Sequence, residues 1–188
     1  MWGSGSGETE NVQLDASTNA MVVIPYEHHE VHDGTHFTYT RVDSDFDIAD
    51  EIVLLIITPD TDVAAHVLFN LTAAFDTTVE LWENTAALGH GSSGVLDVFN
   101  NNRNADTVNT TTINDSDGGG ADGTLIFLSH FGISTGLGAN QVIGGGSGRA
   151  DEEWVLRRNS KYLFKVTSGT DNSSVSIKLS WYEHQDVH

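Results

Sequence analysis

The chain contains no cysteine. That excludes disulfides, thiolate metal sites, iron–sulfur clusters and cysteine nucleophiles. Proline is scarce, with two residues, and basic side chains number 8 against 27 Asp and Glu. The formal net charge of −19 repels phosphate backbones and anionic lipid, so neither nucleic acid nor a membrane is expected as a partner. No apolar run approaches the length of a bilayer span; the densest, Ile52 to Ile57, is far too short. The first residues lack the basic and apolar regions of a secretion signal, so we expect synthesis in a cytoplasm without one.

What is present is β patterning. The 188 residues suit one domain with a tail. Residues 1–18 are rich in Gly, Ser and acids and read as a flexible N-terminal arm, leaving 19–188 as a single folded domain. Strands are predicted at Met21–Ile24, Thr35–Arg41, Glu51–Thr58, Val63–Ala73, Thr77–Glu83, Thr124–His130, Lys161–Thr167 and Ser174–Trp181. In the last, Val175, Ile177, Leu179 and Trp181 point one way and the hydroxyls and Lys178 the other. Period two marks half-buried antiparallel strands. Nothing long shows a helical period. The fold expected is an all-β antiparallel sandwich, jelly-roll-like, with a closed barrel as the alternative. Two long stretches, Asn100–Gly123 and Gly132–Gly148, read as contact loops.

The richest segment chemically is Tyr26 to Phe37, which holds His28, His29, His32 and His36. As a strand it would put Tyr26, His28, Glu30 and His32 on one face, offering nitrogen and oxygen ligands to a metal. The spacing fits no cupin pattern, so hydrogen-bonded imidazoles are the preferred reading and no metal or other cofactor is assigned. The tripeptide Tyr26-Glu27-His28 recurs as Tyr182-Glu183-His184. Two edge strands carrying it would pair side by side, or meet at a subunit axis, where charged imidazoles would make assembly pH-sensitive. Tyr26, His28, His29, Glu30, His32, His36, Tyr182, Glu183 and His184 are therefore the candidate interface residues.

The remaining motifs carry less. Asp43–Asp47 and Asp115–Gly120 begin like calcium loops but lack the closing Glu. Gly144–Gly148 has no following Lys and Ser or Thr, and no intact Gly-x-Ser-x-Gly elbow occurs. No catalytic constellation stands out, and an enzyme is not expected. Trp82, Trp154, Trp181 and Tyr182 could form a sugar platform, but core or interface roles suit Trp82 and Trp181 better. Six of the eight basic residues lie between Arg149 and Lys178, a stretch suited to an acidic patch on a neighbour.

Taken together, the His-rich Tyr26–Phe37 segment, Glu153-Trp154-Val155-Leu156, the strand Asn159–Thr167 and the closing Trp181-Tyr182-Glu183-His184 resemble a family of small structural proteins of tailed bacteriophages. The resemblance spans most of residues 19–186. It implies a non-enzymatic virion protein on the capsid exterior, one that decorates or cements the shell. Its partners would be the major capsid protein and itself, as a homotrimer. A carbohydrate-binding or host-attachment module of the virion is the second reading. A metal-dependent enzyme using His28, Glu30 and His32 is the third.

Overall fold

The computed structural model describes residues 26–89, 94–116, 122–131, 143–146 and 153–185; for 26–28, 143–146 and 185 it describes the backbone alone. The expected strand at Met21–Ile24 and the arm at 1–18 lie outside these residues, as does most of Gly132–Gly148.

Among the described residues, one short helix precedes eleven strands. They are α1 (Tyr26–Asp33), β1 (His36–Phe46), β2 (Glu51–Ile57), β3 (Val63–Ala73), β4 (Thr77–Glu83), β5 (Phe99–Asn100), β6 (Thr112–Asp115), β7 (Thr124–Phe131), β8 (Ile143–Gly146), β9 (Trp154–Leu156), β10 (Lys161–Ser168) and β11 (Ser173–Gln185). One sheet runs β5-β1-β11-β3-β8, with β9 also on β3; the other runs β6-β2-β10-β4-β7. All the pairings are antiparallel. Within these orders β1-β11-β3-β8 faces β2-β10-β4-β7, the arrangement that two Greek keys produce in a jelly roll. The expected all-β sandwich is therefore what the chain forms. The supposed loop Asn100–Gly123 is partly ordered as strand: β5 and β6 arise between β4 and β7 and add one strand to an edge of each sheet.

The alternation read from the sequence decides what goes inside. Phe37 and Tyr39 of β1, Val67 and Leu71 of β3, and Val175, Ile177, Leu179 and Trp181 of β11 form one inner face. Ile52, Leu54 and Ile56 of β2, Val79 and Leu81 of β4, and Tyr162, Phe164 and Val166 of β10 form the other. Strand β2 is apolar at every position from Ile52 to Ile57 because its outer face is covered too. Val53 and Leu55 pack there with Leu163 and Ala87, and Trp82 and Ile57 flank them. Trp82, for which a core or interface role is expected, is half-buried against this outer cluster.

The segment Tyr26–Asp33 is helical, which corrects the strand reading of its faces. Its end explains why. Gly34 takes a left-handed conformation at φ 73°. Its N–H donates to the Val31 carbonyl at 3.2 Å, and the Thr35 N–H donates to Glu30 at 3.1 Å. These are the two bonds of a Schellman cap. A Cβ on Gly34 would also collide with Ala105, so glycine is required twice over.

One tyrosine sets an alkaline limit. The Tyr162 hydroxyl accepts from the Arg157 N–H at 2.8 Å and donates to Glu83 at 3.0 Å. Burial, opposed by the Arg157 bond and reinforced by Glu83, pushes its pKa up to about 12. Tyr39 is raised as well, again mainly by burial. The folded state therefore keeps protons that the unfolded chain releases near the ordinary tyrosine value of about 10. The stability this contributes is complete below about pH 10 and is lost as pH rises through about 12. We expect the unfolding free energy to fall across that window, and Tyr162→Phe to flatten the fall while costing about 1–2 kcal/mol at neutral pH. Urea unfolding at several alkaline pH values measures both; an unchanged slope in the variant would contradict the assignment.

Candidate interaction surface

The outer face of the six-stranded sheet gathers most of the unusual side chains. Along β1, β11 and β3 the residues that alternate with the core point outward. Cross-strand pairing sets them in rows: His36 opposite Tyr182 opposite His66, then Thr38, Ser180 and Leu68, then Thr40, Lys178 and Asn70, then Val42, Ser176 and Thr72. The face has two unlike ends, one made of rings and one of short polar side chains.

The ring end is well packed. The His66 and Tyr182 rings stack at 4.6 Å between centroids, and His184 lies 4.5 Å from His66 and 5.3 Å from Tyr182. The His66 Nδ1 is 2.8 Å from a Glu153 carboxylate oxygen and 3.1 Å from the Tyr182 hydroxyl. On the other side of Tyr182, His36 is buried and its Nδ1 is 2.6 Å from the Asn101 amide nitrogen. The run Asn100-Asn101-Asn102 then ties helix to sheet. Asn100 Nδ2 donates to the Gly34 carbonyl at 2.7 Å, and Asn102 Nδ2 donates to His32 at 2.9 Å. An eight-residue helix has little stability of its own; these amides hold α1 against β1.

Glu183 sits on the opposite, inner face and is buried. Its carboxylate accepts from the Thr110 N–H at 2.8 Å, the Thr110 hydroxyl at 2.6 Å, the Thr111 N–H at 2.7 Å and the Trp181 indole N–H at 3.0 Å. It thus closes the end of the core and pins the segment leading into β6.

The tripeptide echo does not form a pair. Tyr182-Glu183-His184 lies in β11, between β1 and β3, whereas Tyr26-Glu27-His28 lies in α1. The reason is that β11 already has β1 and β3 on its two sides, so it offers no free edge to a second copy of the tripeptide. Of the candidate residues, the structure brings together His36, Tyr182 and His184. Glu30 is buried and accepts from the Thr35 hydroxyl, and His29 pairs with Asp33 at 3.2 Å on the exposed side of α1. His32 is exposed. The side chains of Tyr26 and His28 lie outside the described ones. His66 and Glu153 were missed. His66 alternates out of phase with Val67, Phe69 and Leu71, which was a usable signal for its face, but its register against Tyr182 was not readable.

Other chemistry finds structural uses. Asp47, Asp50 and Asp171 cap turns: Asp47 Oδ1 accepts from the Asn172 N–H, Asp50 from Asp47, and Asp171 from Ile48. Among the described residues no three His, Asp or Glu side chains are placed to hold a metal ion. An open cleft of about 380 Å³ lies at one end of the five-stranded sheet between Thr58, Asn84, Thr85, Asn159, Ser160 and Lys161. No aromatic ring lines it. Trp181, a candidate for a sugar platform, is 1% exposed and belongs to the core. The chain matches no protein-family model and no curated protein.

Proposed function

We propose that this chain is a non-enzymatic structural protein of a tailed-phage virion that binds the outside of the capsid as a symmetric oligomer, a trimer, and stabilises the shell. The observation that supports this reading is the use made of the residues carrying the resemblance. Tyr182, His184, His36 and Glu30 join α1, β1, β11 and β3, and Glu183 closes the core. They serve rigidity, which a cementing protein needs, rather than a reactive centre. A jelly roll is compatible with this role but is shared with lectins. The open cleft where Asn84, Thr85 and Asn159 offer amide and hydroxyl groups favours a second reading, a glycan-binding module.

Mixing the purified protein with shells assembled without it provides the test. Co-sedimentation at a fixed ratio of a whole number of trimers per capsomer or local axis is expected. Protein that remains in the supernatant at low and moderate salt, or that shifts its tryptophan emission with host glycan instead, overturns the proposal.

A further inference from the structure

We propose that the open end of the outer face of the six-stranded sheet, centred on Lys178, is the surface by which the protein attaches to a flat, acidic protein surface. This rests on the shell-binding reading and names the side that would face the shell.

The first observation is the distribution of charge. The outward positions of β1 from His36 to Val42, of β3 from Ala64 to Thr72 and of β11 from Ser174 to His184 include no Asp or Glu, in a chain that has 27. The second is the state of Lys178. Arg41, Arg157, Arg158 and Lys165 each pair with a carboxylate. Lys178 is exposed and makes no ion pair with a described residue. With more than three acids per base, a cation kept apart from carboxylates has forgone an attraction that was abundantly on offer. The third lies at the rim. Phe99 of β5 stands beside Thr38 and is 55% exposed, with the Arg103 guanidinium 5.8 Å from its ring centre. Val42, across the patch, is 71% exposed.

The chemistry then selects the occupant. Two cations, a row of hydroxyls able to donate hydrogen bonds, and no carboxylate on the strands complement an acidic surface. The short side chains, together with Gly144 and Gly146 beside Thr72 and Asn70, keep the patch low and flat. A phosphate backbone is a poor fit, since its charge continues beyond the patch and meets the 27 carboxylates of the rest of the chain, whereas the acidic area of a protein surface can be as small as the patch itself. A second copy of the chain carries its excess of acids over its whole surface and is repelled in the same way as a phosphate backbone. Strand spacings put the patch at roughly 400–500 Å², below the about 800 Å² per partner of an ordinary stable interface. One patch would hold weakly, and several copies held by an oligomer on a repeating surface would hold well.

Lys178→Glu and Lys178→Gln should each lower co-sedimentation with undecorated shells, the first by about ten-fold or more and most strongly at low salt. Arg158→Glu makes a charge reversal of the same size away from this face, at a solvent-exposed pair with Asp62, and should stay within about two-fold of wild type. Circular dichroism verifies that all three fold. In assembled particles, the Lys178 amine should resist acylation relative to the free protein. Wild type that binds, with Lys178→Glu binding equally well or Lys178 acylated as readily on the particle as in solution, overturns this face and leaves the shell reading standing. Wild type that fails to bind overturns the shell reading, and the face falls with it.

Discussion

Glu183→Ala is expected to lower the unfolding free energy by about 3 kcal/mol, because two buried N–H groups and a third, part-buried one lose their acceptor at once. The donors are the Thr110 and Thr111 amides and the Trp181 indole, and the Thr110 hydroxyl joins them. Each unsatisfied donor costs about 1–3 kcal/mol, and no water-sized replacement restores the paired geometry of a carboxylate. Glu183→Gln keeps the volume and one acceptor oxygen but turns an NH₂ towards donors, so an intermediate loss is expected. Urea unfolding followed by tryptophan fluorescence reads the stability and, through Trp181, the local change. A loss under about 1 kcal/mol for the alanine variant would mean that the segment before β6 is held by other contacts.

The second large effect is in the core itself. Trp181→Ala should cost about 3–5 kcal/mol, the range for removing a large buried aromatic. Trp181 is among the largest fully buried side chains and lies 6.0 Å from Phe37 between ring centres. It also supplies one of the Glu183 donors, so the two variants touch the same bond and their costs should not add. At about 2–4 °C per kcal/mol for a chain of this size, the melting temperature should drop by roughly 10 °C. Trp181→Phe retains most of the packing but not the indole N–H and should fall well short of that. A drop of only a few degrees for Trp181→Ala would be incompatible with a buried ring.

The inward rows were legible because alternation is a local property. Val175, Ile177, Leu179 and Trp181 declare one face of β11 without reference to any other strand, and the bounds read for β3 and β4 match those formed. The apolar run of β2 was legible as a strand but not as one covered on both faces, since Ala87 is brought over it by the chain after β4. The helix was not legible. Its eight residues have no apolar stripe, and it stands on the Gly34 cap and on the amides of residues 100–102, some seventy positions away.

The surface was harder still. His66 and Tyr182 are 116 residues apart in the chain, and the Asn101 that meets His36 is 65 positions from it. A tripeptide match suggested that Tyr26 and Tyr182 would meet, but identity of sequence carries no information about pairing. What the sequence by itself determined was the class of fold and which side chains are inside, because the pleat assigns faces two residues at a time. Strand order, and with it the meeting of His36, Tyr182 and His66 and the acid-free face around Lys178, was decided only by tertiary structure. Those neighbours are selected by closing two complete sheets over one core, a condition that no short window of residues contains.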